Sequence, residues 1–447
     1  MLGYSFTVHR YVTRSALVAA TLALAGQTAL PQRFTRIDRE QAETILDHVS
    51  SDIRDHYYDP KLHGIDFDAK VREAKERIMQ APSYDVASTD IAALFEALDD
   101  SHTFYIPPGH FTKEEYGWRF EMIGNRCLVT HVKPGSDAET KGLKLGDQVL
   151  TINGFVPARD SLLRMEYVLS SLMPMRSLTV DLLDPSHKVM KLEIMAQVKS
   201  GKQLSDSGDV TGGDQWLSRL DKERRKRLVR VRYKEMGPNL LIVKLPEFVE
   251  PEFEVSEIIG KARKHKSLII DLRGSPGGSE ETLQYLLGGL FEKEIKIADR
   301  VTRMGVKPLM ARGNHQDIFS GNLVVLVDSE SASASELFAR TVQIQKRGTI
   351  IGDQTSGATM EAEHHFHRTG VNPVFYYGAS VTEADLILPD GKSLERAGVT
   401  PDLTILPTAD DLANGRDPAM MQAAALAGVE LNAADAGKLF VYEWPTN

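Results

Sequence analysis

The chain has 447 residues, 42% of them hydrophobic and 26% charged, with a formal net charge of −9. That length exceeds one ordinary hydrophobic core and sets an expectation of about three domains, and the negative balance speaks against nucleic acid as a partner. One cysteine, Cys127, excludes an internal disulfide and a cysteine-based metal cluster.

Arg10 and Arg14 precede an apolar run over 15–25, and no acidic residue occurs before Asp38. Ala23-Leu24-Ala25 fits a small-residue cleavage site, with Ala29 a second candidate. The run is too short to cross a bilayer. Residues 1–29 therefore read as a secretory signal peptide, which sends the mature protein to the periplasm or outside the cell with no stable membrane span.

Apolar residues then recur at helical spacing. Ala42, Ile45, Leu46, Val49 and Ile53 mark one helix, Phe67, Val71, Ala74 and Ile78 a second, and Ile91, Leu94, Phe95 and Leu98 a third. This helical domain spans 30–116 and contains Asp99-Asp100-Ser101-His102-Thr103. From 117 to 200 short strands alternate with turn signals such as Asn153-Gly154, the texture of a small β-rich domain. Residues 201–236 read as a linker followed by an edge strand, in which Val229, Val231 and Tyr233 alternate with Arg230, Arg232 and Lys234.

Strands alternate with helices from 237 to 410, which implies an α/β layered core. Leu240 to Leu245 and Ser267 to Leu272 are buried strands, and 282–291 is helical. Residues 323–327 form an unbroken apolar run, short enough for a strand buried on both faces. A serine-rich turn follows, and helical spacing resumes at Ser333. A helix over 409–426 and a helical tail over 411–447 close the chain.

Three stretches carry chemistry. Ser333 stands at a helix start, where free N–H groups favour negative charge; Ala332 and Ala334 leave room beside it. On local grounds alone, the same cluster reads as an N-cap. Asp271-Leu272-Arg273-Gly274-Ser275-Pro276-Gly277-Gly278 leaves a buried strand, and its glycines allow left-handed backbone and N–H groups aimed at an oxyanion. Glu363, His365 and His367 would share one face of a strand. His-x-His on a strand suits zinc, but no further ligand stands at metal-site spacing in the sequence, and a polar cleft wall is the expectation there.

Asp-Leu-Arg-Gly-Ser-Pro-Gly-Gly followed by Ser-Ala-Ser-Ala-Ser-Glu-Leu-Phe-Ala resembles the C-terminal processing (tail-specific) serine peptidases. The resemblance implies a ClpP/crotonase-like α/β core with an N-terminal helical segment and an inserted PDZ-like domain over 117–200. Residues 142–154 look like the turn-and-strand region of that domain, and 395–402 resemble the closing Glu-x-x-Gly-Val-x-Pro-Asp motif. Members with a Ser-Lys dyad carry a lysine after Gly-x-x-Thr-x-Gly; here Gly352-Asp353-Gln354-Thr355-Ser356-Gly357 is followed by Ala358. The tricorn-type branch uses a Ser-His-Ser-Glu tetrad instead, and Ser101-His102 matches its serine–histidine pair.

By this similarity Ser333 is the nucleophile, His102 the general base, and Glu395 orients the imidazole through Ser101. Glu361, Glu363 and Asp390 are neighbouring alternatives for the carboxylate. Ala334, with Gly277 or Gly278, would supply the oxyanion N–H groups. The implied activity is endopeptidase cleavage of unstructured or C-terminal protein segments, with no metal or organic cofactor; the oligomeric state stays open. The alternative is a non-catalytic ligand- or peptide-binding protein on the same fold. Adjacent residues in a regular strand face opposite ways, so Ser101 and His102 serve one site only if the backbone bends there.

Overall fold

A computed structural model describes residues 34–109, 112–200, 230–313, 317–370 and 374–444. The expected signal peptide and most of the expected linker lie outside these residues.

Helices α1 (Arg36–His56), α2 (Phe67–Gln80) and α3 (Tyr84–Glu96) form where the apolar spacing foretells them. The side chains of Thr35, Asp66 and Ser83 each accept a hydrogen bond from a first-turn N–H, satisfying donors that have no intrahelical partner. Their apolar stripes meet Tyr105, Tyr377, Ala379 and Val381 in one buried cluster. Tyr105 lies on β1 (Phe104–Ile106). The helical segment thus shares its core with a strand from the far end of the chain.

Next come β2 (Thr112–Glu115), β3 (Trp118–Ile123), β4 (Arg126–Val132), β5 (Gln148–Ile152), β6 (Ser177–Leu183), β7 (Val189–Met195) and β8 (Gln197–Ser200). Strands β3 to β7 form an antiparallel five-stranded sheet in sequence order, while β2 and β8 pair at its entry and exit. Val129, Val149, Ile152, Val180 and Leu182 give this unit its own core. It docks on the rest of the molecule through polar contacts. Arg119 pairs with Glu330 at 2.6 Å, Ser329 Oγ donates to Met122 O at 2.6 Å, and Gly124 N donates to Asp353 Oδ2 at 2.8 Å.

The remaining strands are β9 (Arg232–Met236), β10 (Leu240–Lys244), β11 (Ser267–Asp271), β12 (Ile295–Thr302), β13 (Gly305–Ala311), β14 (Asn322–Val327), β15 (Thr349–Gly352), β16 (Glu361–Thr369), β17 (Phe375–Ile387) and β18 (Leu403–Thr404). One sheet runs β18-β15-β14-β11-β10-β9, parallel except for β9 at its edge. The unbroken apolar runs serve two faces at once. Leu323, Val325 and Val327 enter one cluster with α4 (Glu252–Ala262), α5 (Glu280–Gly288) and α6 (Ala334–Ile344). Val324 and Leu326 enter another with α7 (Pro418–Leu426).

The second sheet is built on β17. It carries β16 along one edge, and β1 and β12 one after the other along the opposite edge.

Two expectations are corrected. The helix expected over 409–426 is two helices, Ala409–Ala413 and α7, because Gly415 takes a positive φ of 61° and Pro418 starts the second. His365 and His367 do share a face, but it packs against α1 rather than lining a cleft. The His365 ring stacks on His56 with centroids 4.1 Å apart, and His367 Nε2 lies 2.7 Å from Asp52 Oδ2.

Candidate active site

Strand β14 ends at Val327, and the serine turn begins at Asp328. Asp328 Oδ1 accepts from Glu330 N and Ser331 N, both at 3.0 Å, and from Gly274 N at 2.9 Å. Ser331 Oγ donates to Leu272 O at 3.0 Å, and Ala332 N to Ser275 O at 3.0 Å. The turn is thereby stitched to the glycine loop. Ser333 closes it with φ 52° and ψ −119°, a left-handed conformation that costs a non-glycine residue on the order of 1–3 kcal/mol.

Hydrogen bonds hold that conformation. Ser333 N donates to Ala358 O at 2.7 Å and to Glu336 Oε2 at 3.1 Å. Glu336, 0% exposed, also accepts from Thr355 Oγ1 at 2.5 Å, Gly357 N at 2.7 Å and Ala358 N at 2.9 Å. Burial pushes its carboxyl up to about 7 despite these donors. In the sequence Glu336 reads as a first-turn acid suited to the helix dipole; its role as the anchor of the 355–358 segment depends on tertiary contacts.

Gly277 abuts the serine. A Cβ there would lie 2.7 Å from Ser333 Cβ and 2.8 Å from Ala334 N, and its φ is +96°. Gly278 is pressed against Phe248, whose carbonyl oxygen would lie 2.3 Å from an added Cβ. Among the described residues, the N–H groups of Gly277, Gly278 and Ala334 donate to no protein acceptor. Two of these free donors, at Gly277 and Ala334, stand beside the serine, as a developing oxyanion requires. Arg273 holds the base of the loop, bridging Asp271 at 2.9 Å and Asp417 at 2.8 Å.

The second half of the site comes from the start of the chain. The backbone bends at Ser101 and His102, as their joint use demands. Asp100 makes the bend: its Oδ1 accepts from His102 N at 2.9 Å, Thr103 N at 2.6 Å and Thr382 Oγ1 at 2.9 Å. An Asp two residues ahead of the histidine is a turn signal that sequence reading could have used. Ser101 Oγ lies 2.7 Å from His102 Nδ1 and donates to Glu395 Oε2 at 2.8 Å, while Ser101 N donates to Glu395 Oε1 at 2.8 Å. Ser101 has one hydroxyl proton, and it points to Glu395. Its oxygen therefore accepts from His102 Nδ1–H, which leaves the Nε2 lone pair free. Burial holds the imidazole down at about 4, so it is neutral at pH 7.

The two halves meet at Ala358 and Thr359. Ala358 O receives Ser333 N at 2.7 Å, and Thr359 N donates to Glu395 Oε2 at 3.1 Å. Ser333 Oγ and His102 make no hydrogen bond with each other in this state. Of the rival carboxylates, Glu361 binds Arg300 at 2.5 Å and Asp390 binds Arg340 at 2.5 Å. Glu363 makes no hydrogen bond with Ser101 or His102 among the described residues.

Residues 239–405 match the model of peptidase family S41, a span that contains Ser333, Ala334, Gly277, Gly278 and Glu395 but not Ser101 or His102. The chain is 25% identical over 307 residues to a tail-specific protease of Haemophilus influenzae, covering 64% of this chain but only 40% of that protein. It is 22% identical over 410 residues to the chloroplastic carboxyl-terminal-processing peptidase 1 of Arabidopsis thaliana, covering 83% of this chain and 72% of the relative. Among solved structures, mature CPAF aligns over 84% of this chain and 94% of its own with a TM-score of 0.62 at 14% identity, a likeness of fold.

Proposed function

We propose that the chain, whose residues 239–405 match the model of peptidase family S41, is an exported serine endopeptidase cleaving unstructured or C-terminal protein segments. Ser333 Oγ attacks the peptide carbonyl while His102 Nε2 takes its proton. The N–H groups of Ala334 and of Gly277 or Gly278 hold the oxyanion, a donor of this kind being worth ~2.7–4 kcal/mol of barrier. His102 returns the proton to the leaving amine, and water then hydrolyses the acyl-enzyme. Substrate draws the serine hydroxyl and the imidazole into the hydrogen bond they lack without it.

The observation that carries this reading is the Glu395–Ser101–His102 relay, which leaves Nε2 as the unprotonated nitrogen of a neutral ring. Export is supported by the basic and apolar character of residues 1–29. The antiparallel unit over 117–200 is read as the PDZ-like domain, supported by its separate core and its insertion between β1 and β9.

The test is hydrolysis of an unstructured peptide, with Ser333→Ala expected to abolish turnover and labelling by a fluorophosphonate. A folded wild-type protein that takes no label would instead support the ligand-binding alternative.

A further inference from the structure

Away from the serine, three side chains from distant parts of the chain converge. His56 ends α1, His365 lies on β16 and Glu383 on β17. Glu383 is the extra residue of a bulge, since Glu361 pairs with Ala384 and Ala362 with Thr382. Bulges re-aim side chains, and this one presents Glu383 to both rings. Its Oε1 lies 3.6 Å from His56 Nδ1 and 3.7 Å from His365 Nε2. All three ligand atoms lie within 4.8 Å of one another.

Those separations are too long for hydrogen bonds. They are close to the edge of a tetrahedral zinc site, about 3.4 Å when the metal–ligand bonds are about 2.0–2.1 Å. His365 Nε2 is buried and has no hydrogen-bond partner among the described residues. The His-x-His spacing on β16 lacks further ligands in the sequence because they arrive from residues 56 and 383.

We propose that His56, His365 and Glu383 form a binding site for a divalent transition cation of the zinc class, its fourth position open to water. The site joins the end of α1 to the β16–β17 hairpin. It shares no residue with the serine site and does not rest on the proposed function.

The experiment uses the full, untagged chain, stripped with chelator and titrated with zinc chloride by calorimetry. A parallel cobalt titration reads the visible bands of a tetrahedral ion. One equivalent should bind and raise the Tm. His365→Ala and Glu383→Gln should each weaken binding by at least about tenfold, the loss seen even for outer partners of ligands. His56→Ala, at the exposed helix end, should do the same with the metal-free Tm unchanged, which separates ligation from folding. Absence of stoichiometric binding overturns the site. So does binding that survives His56→Ala and His365→Ala, or that is lost on His367→Ala alone.

Discussion

At the scale of single residues, the proposed mechanism depends on one imidazole and one glycine. Burial keeps His102 neutral down to about pH 4, and only the neutral ring can act as base. The acid limb of kcat/KM should therefore fall near pH 4 rather than near the ordinary 6.5. A pH–rate profile on a peptide substrate measures this, and a limb near the ordinary histidine value would assign the base elsewhere. Gly277 admits no side chain, because a Cβ would meet Ser333 Cβ at 2.7 Å on a backbone with φ +96°. Gly277→Ala should lower kcat by about 100-fold or more, the cost of a misplaced oxyanion donor. Circular dichroism would show whether the fold persists.

At the scale of elements, α6 is held by its own first turn. Glu336 accepts from Ser333, Thr355, Gly357 and Ala358, so Glu336→Ala leaves several buried donors without an acceptor. It should destabilise the protein by about 3 kcal/mol or more, read as a shift in urea midpoint. Helices α1 to α3 and strands β10, β11 and β14 were legible in the sequence, whereas α4, β12, β13 and β17 were not. The run at 323–327 is apolar at every position because the two sides of β14 feed two different clusters. The motifs around Ser333, Gly277 and Glu395 were equally legible, as was the need for a bend at Ser101. What could not be read was which distant groups complete each turn. Ala358 O under Ser333, Thr382 under Asp100 and the carboxylate of Glu336 between two loops are contacts without local periodicity. Asn414-Gly415 is the break signal before Pro418, set between stretches rich in alanine.

At the scale of the whole molecule, the antiparallel unit meets the serine turn through a half-buried acidic cluster. Burial raises the carboxyls of Glu121 and Glu330, each further raised by nearby acids and opposed by Arg119. Burial also lifts Glu166 to about 7. Raised acids contribute stability that is complete below their unfolded value of 4.5 and is lost as pH climbs through neutrality. Glu121→Gln should therefore raise the Tm at pH 8 and change it little at pH 4, as thermal melts at the two values would show. An equal effect at both would place the cost in packing rather than in charge.

The relay spans 294 positions, from Ser101 to Glu395, and β17 supplies both the core beneath the first helices and Thr382 behind the histidine turn. During synthesis, Ser101 and His102 emerge well before Thr382 and Glu395, the distant groups that complete their turn. A ribosome-bound chain that has yet to release residue 395 already owns its serine hydroxyl but has no carboxylate to steady the imidazole. On the proposed relay, the order of the chain thus withholds cutting power until residue 395 has been made.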